Sequence, residues 1–137
     1  MKVAIRYFTK SKKGNTFKLA RAVSEAIDVP YLTVNEDLKE KVDILFLVNA
    51  MYAATIDKEV KRFLIRNKEK ISLLVNVNSA ASGKSTLKAV KKVSDKVNIP
   101  VSDKEYHTVA SWLSLNKGRP NEDDLNRLKE FVTSLVK

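Results

Sequence analysis

The chain has 137 residues and no cysteine, so it is long enough to bury one real core, and disulfides, thiolate metal sites and cysteine nucleophiles are all excluded. A 44 % hydrophobic share is that of a globular protein, and the lone His107 excludes a histidine metal cluster. The net charge of +10, from 26 Lys and Arg against 16 Asp and Glu, points to acidic partners or to no more than a solvated basic surface. No stretch approaches a membrane span, and Arg6 and Lys10 break the N-terminal apolar run too early for a secretory signal, so a cytoplasmic protein is expected.

In chain order, Met1 to Phe8 reads as a strand, near-continuously apolar and therefore buried on both faces, as in a parallel sheet. Asn15 to Ile27 reads as a helix, with Ala20, Val23 and Ile27 at helical spacing. Val29 to Val34 is a short strand with Pro30 near its start, where a missing N–H is tolerated. Glu36 to Lys41 is a brief polar helix or turn. Val42 to Val48 is the strongest strand, followed by a loop from Asn49 to Thr55 and a helix from Ile56 to Asn67 with Val60, Phe63 and Leu64 inward. A strand over Ile71 to Val77, a small polar loop from Asn78 to Gly83, and a helix from Lys84 to Val97 come next. The last strand spans Glu105 to Ser111. Pro120 and Asn121 open the final helix, whose first turn carries Glu122, Asp123 and Asp124 to complement the dipole. Strand and helix alternate about five times, which argues for one α/β domain over residues 1–137, with a parallel sheet and right-handed crossovers.

The stretch from Thr9 to Thr16 carries the first chemical signal. A strand that feeds a helix through a hydroxyl-rich loop offers an anion unpaired N–H groups and the positive end of the helix dipole. Thr9, Ser11 and Thr16 add hydroxyls and Asn15 an amide; otherwise the stretch is an ordinary strand–loop–helix with Asn15 or Thr16 as a cap. With its Gly14-Asn15-Thr16, this stretch resembles the phosphate loop of the flavodoxin family. The likeness extends over nearly the whole chain, through the Asp43 strand leading to Tyr52 and the tail Lys117-Gly118-Arg119-Pro120-Asn121. Lys12 and Lys13 lengthen the loop relative to the family pattern, and its lysines are unusual there.

The resemblance implies a flavodoxin-like three-layer sandwich with a five-stranded parallel sheet in the order 2-1-3-4-5. It implies noncovalent FMN, with Thr9, Lys10, Ser11, Lys13, Gly14, Asn15 and Thr16 at the phosphate. Around the ring it implies Asn49, Ala50, Met51, Tyr52 and Ala53 from the second loop and Asn78, Ser79 and Ala80 from the third. Tyr52 then covers the ring; alternatively it packs on the following helix. Asn78 and Ser79 hydrogen-bond the ring or simply form a turn. The family commonly has glycine just after the aromatic residue, whereas this chain has Ala53 and Ala54, which flip their peptides less freely. Trp112 supplies ring surface or edge packing.

The expected function is therefore an electron carrier between redox partner proteins, themselves acidic, rather than a self-contained enzyme. An FMN-dependent NAD(P)H reductase and a flavin-free binding module with a basic surface are the alternatives. Ser82-Gly83-Lys84-Ser85-Thr86 ends like a nucleotide-binding loop, but Asn78 stands where that motif needs its first glycine. Lys84, Lys88, Lys91, Lys92 and Lys96 share a helix face, and Lys58, Lys61 and Arg62 lie on the preceding helix. No aromatic residue interleaves with them, which argues against nucleic acid.

Overall fold

The computed structural model describes residues 1–10, 14–51, 55–111 and 116–136. Its elements are β1 (Val3–Tyr7), α1 (Asn15–Ile27), β2 (Tyr31–Thr33), β3 (Ile44–Ala50), α2 (Lys58–Asn67), β4 (Leu74–Ala80), α3 (Leu87–Lys96), β5 (Tyr106–Val109) and α4 (Glu122–Val136). The five strands form one parallel sheet in the order β2-β1-β3-β4-β5, as expected. All seven residues of β4 and six of the seven in β3 are buried, which is why these strands read as continuous runs rather than as alternating patterns.

Successive side chains point to opposite sheet faces, and two cores follow. Ile5, Phe46, Val48, Val75 and Val77 pack under α1 and α4 with Leu19, Val23, Leu128 and Val132. Leu45, Leu47 and Leu74 pack on the other side with Val60, Phe63, Leu64 and Val90 of α2 and α3.

Both central strands run further than their apolar runs suggest. Asn49 and Ala50 stay in the ladder opposite Asn78 and Ser79, and the Met51 N–H still donates to the Ser79 carbonyl at 3.2 Å. The expected loops therefore begin later, beyond Ala50 and Ala80. At the other ends, Val42 and Ile71 make only an isolated bridge.

The connection from β2 to β3 contains no helix. Val34 and Asn35 form a turn closed by the Glu36 N–H donating to Thr33 O at 3.0 Å, and the carbonyls that follow lack the partners a helix would give them. Cations from neighbouring elements supply donors. Arg6, 7 % exposed on β1, donates to the carbonyls of Glu36 (2.8 Å), Asp37 (3.3 Å) and Ile5 (3.1 Å). Arg66 donates to Val34 O and Lys70 to Leu38 O, while Asn67 Oδ1 accepts the Leu38 N–H. Burial pulls the Arg6 guanidinium below its ordinary pKa, against the opposing pull of Glu36 and Asp37.

The last helix opens with a reciprocal cap. Asn121 Oδ1 accepts the Asp124 N–H at 3.0 Å, and Asp124 Oδ2 accepts the Asn121 N–H at 2.8 Å. Arg119 grips the same carboxylate with two N–H groups, at 2.6 and 2.7 Å. These bonds, that to Arg119 first, hold the Asp124 carboxyl below its ordinary pKa. A depressed folded pKa contributes stability that is present above the unfolded value near 3.9 and is lost as pH falls through the folded value. Asp124→Asn is therefore expected to lower the unfolding midpoint at neutral pH and to flatten its decline below about pH 4. Parallel acid-unfolding curves for wild type and variant would refute the assignment.

Candidate functional site

At the carboxyl edge of the sheet, β1 and β3 lie side by side and their connections leave on opposite faces, α1 on one and α2 on the other. That is the switch point at which a parallel α/β sheet opens a crevice. Four loops border it, after β1, β3, β4 and β5.

The first loop meets α1 at Gly14, the N-cap residue, which carries no side-chain cap. The first intrahelical bond runs from Lys18 N–H to Gly14 O at 3.3 Å, leaving the amides of Asn15, Thr16 and Phe17 without intrahelical acceptors. Neither Asn15 nor Thr16 acts as the cap. The Asn15 amide instead donates across the site to the Ser111 carbonyl (3.1 Å) and hydroxyl (3.3 Å). Thr16 is 3 % exposed and makes no side-chain hydrogen bond to a described residue, although it stands in the first turn. Lys10 is exposed and Thr9 half-buried, and both have interactions of their own. Ser11, Lys12 and Lys13 lie outside the described residues, as do Tyr52, Ala53 and Trp112.

The ring-side residues are placed differently from the loop positions expected of them. Asn49, Asn78 and Ser79 are at most 1 % exposed and Ala80 is buried in β4, while Ala50 and Met51 are half-buried at the rim. The side chains of Asn49 and Asn78 point to the α2–α3 side and are used inside the protein. Asn49 Nδ2 donates to Asn76 Oδ1 (2.8 Å), Asn76 Nδ2 to Thr86 Oγ1 (3.1 Å), and the Thr86 hydroxyl back to Asn49 Oδ1 (2.7 Å). Asn78 Oδ1 accepts the Thr86 N–H, and its Nδ2 donates to Lys84 O. Each bond in this closed ring polarises the next, and the buried amides are satisfied without water.

Sequence reasoning missed Asn76 and Thr86. The signal was available: asparagines at 76 and 78 alternate on one face of an otherwise apolar strand, and both need partners once buried. The same ring disposes of the nucleotide-loop look-alike. Thr86 is 1 % exposed and bonded inward, and Ser85 donates to the Glu105 carboxylate, which would repel a phosphate. Among the described residues, no cluster of His, Asp and Glu is placed to hold a metal ion.

Further bonds join the remaining loops. Asn116 Nδ2 donates to Ala81 O (2.7 Å) and Ala110 O (3.2 Å), and the Ser111 N–H to Arg119 O (2.8 Å). Gly83 closes the third loop at φ +75°, and His107 Nδ1 bonds its carbonyl at 2.9 Å. Side-chain bonds thus run from the first loop to the fifth-strand loop, on to the third, and through the asparagine ring to the end of β3.

The strand order, the switch-point crevice and the two helix layers define a flavodoxin fold. No known family's sequence profile matches the chain. An uncharacterized protein of Methanocaldococcus jannaschii is 28 % identical over 157 aligned positions that cover 100 % of this chain and 99 % of that protein. A flavodoxin from an archaeon shares the fold with a TM-score of 0.75 at 15 % identity, over 98 % of this chain and 96 % of its own. An NAD(P)H:quinone oxidoreductase from Methanothermobacter marburgensis does so at 0.65 and 12 %, over 98 % and 96 %. Among the described residues, no helix is long and apolar enough to cross a membrane.

Proposed function

We propose that the chain binds FMN noncovalently in the switch-point crevice and carries electrons between protein partners. The observation that carries this reading is the first turn of α1: three amides without intrahelical acceptors, in the same turn as Thr16, a 3 % exposed residue whose hydroxyl has no hydrogen bond to a described residue. A dianionic phosphate satisfies both. The fold shared with an archaeal flavodoxin supports it.

When bound, the flavin supplies the redox chemistry; the protein binds and orients it. On this reading Thr9, Ser11, Thr16 and the backbone amides of Asn15 and Thr16 hold the phosphate, with Lys10 or Lys13 adding charge. The Asn15 side chain, bonded to Ser111, holds the loop rather than the ligand. Ala50, Met51, Tyr52 and Ala53 line the ring from the second loop. Asn49 and Asn78 position the loops through their internal bonds, and Ser79 and Ala80 offer backbone groups.

Addition of FMN to the purified protein is expected to change the visible spectrum and quench flavin fluorescence. No change at tens of micromolar, a generous bound for weak binding, would overturn the proposal in favour of a flavin-free binding module. Thr16→Ala is expected to weaken FMN roughly tenfold or more, the worth of a hydrogen bond to a charged group, and riboflavin far less. Equal weakening of both ligands would place the phosphate elsewhere. The fold is also that of an NAD(P)H:quinone oxidoreductase. Steady-state NAD(P)H oxidation by the FMN-loaded protein separates a reductase from a carrier.

A further inference from the structure

The two helix layers differ in electrostatic character: the α2–α3 layer is strongly basic, while α1 and α4 carry cations and acids in near balance. On the α2–α3 side, the acidic groups are engaged: Glu59 pairs with Arg62, Asp103 with Lys91, Asp57 caps α2, and Glu105 turns inward to Ser85 and Asn76. Asp95, and Glu69 in the turn after α2, are left exposed on that side. The lysines are not so engaged. Among the described residues, Lys58, Lys61, Lys84, Lys88 and Lys92 make no ion pair. On the other side, cations are engaged: Arg21 and Lys129 bracket Glu25, Arg127 pairs with Asp123, and Glu122 is exposed at the start of α4.

The placement of the charge is as telling as its sign. The segments leading into α2 and α3 come directly from the loops after β3 and β4 that border the crevice. The first turns of both helices, with Lys58, Lys61 and Lys88, and Lys84 in the segment leading into α3, therefore form one shoulder of the site. Ile65 follows Lys58 and Lys61 on the same stripe of α2 and is 52 % exposed, an apolar contact point among cations.

We propose that the α2–α3 shoulder is the docking surface for an acidic face of a partner protein. Charge complementarity steers such a partner onto the crevice from one side. The chemistry favours protein over nucleic acid: the aromatic residue of α2, Phe63, is buried, α3 has none, and the free cations are lysines rather than base-reading arginine forks. That the partner exchanges electrons rests on the electron-carrier reading above; the surface itself does not.

The test is a titration of isotope-labelled protein with a strongly acidic [2Fe–2S] ferredoxin as probe, followed by amide chemical shifts, with and without added FMN. At about 20 mM salt the shifts are expected on α2 and α3, and they should shrink at about 200 mM, where the screening length has fallen to ~7 Å. Lys61→Glu, Lys88→Glu and Lys92→Glu together should slow association on the order of tenfold with an unchanged unfolding midpoint. Lys18→Glu with Arg21→Glu on α1 should change nothing. Shifts confined to α1 and α4, no shifts, or tighter binding of a short DNA oligonucleotide to the same face would each overturn the proposal. Docking on α2 and α3 without any FMN binding would leave the surface standing and remove the electron-carrier reading; FMN binding without docking would do the reverse.

Discussion

Replacing Arg6 by methionine is expected to destabilise the protein by about 2–4 kcal/mol, chiefly through the carbonyls it leaves unpaired. Two effects oppose each other there. The cation is buried, and its lowered pKa marks a desolvation cost that methionine would relieve. Against that stand three carbonyl partners, two of them in a crossover with no helix of its own. The acceptors outweigh the desolvation because Glu36 and Asp37 already offset part of the burial cost, while nothing else described donates to those two carbonyls. For a chain of this size the loss corresponds to a fall in melting temperature of roughly 5–15 °C. Arg6→Lys should fall between, since one ammonium cannot span three acceptors as the fork does. A methionine variant as stable as the parent would show that desolvation governs the site.

Thr86→Val is expected to have the second largest effect, and a different signature. Valine keeps the shape but removes the hydroxyl that closes the ring between Asn49 and Asn76. Two buried amide groups lose a partner, at about 1–3 kcal/mol of stability. Because the ring fixes the end of β3 relative to the loop after β4, FMN and riboflavin should weaken together, whereas Thr16→Ala separates them. Unchanged flavin affinity alongside lowered stability would confine the ring to a structural role.

The alternation of strands and helices was legible because it rests on local signals, while the sheet order and the position of the crevice came with the resemblance to the flavodoxin family. The run from Val42 to Val48 is short, largely apolar and rich in β-branched residues, as a doubly covered strand is, and the Ala20–Val23–Ile27 spacing is that of an amphipathic helix. The strand ends were not legible. Asn49 and Asn78 look like loop residues because burying an amide is costly, and the compensation lies in Thr86 and Asn76, which no local window connects. The same holds for Asn15, which reads as a cap or ligand until Ser111, 96 positions away, takes its amide. In the sequence Arg6 only interrupts an apolar run; its role depends on a carbonyl 30 residues later. The charge of the two helix faces was partly visible in the lysine spacing, but which acids were already engaged was not.

The helix-less crossover between β2 and β3 has a consequence for where its specification resides. A helix carries its own hydrogen-bond partners, so its sequence must favour its shape. This connection is held through carbonyls, which every amino acid presents alike, and through donors on β1, α2 and the turn after α2. Much of the information that fixes its path is therefore written at Arg6, Arg66, Asn67 and Lys70, outside the segment, and the segment itself adds two core side chains, Val34 and Leu38, and the Asp37 carboxylate that Arg66 and Asn67 hold. An inspection confined to residues 34–41 would find the apolar anchors Val34 and Leu38 but none of the distant donors that take the carbonyls between and around them.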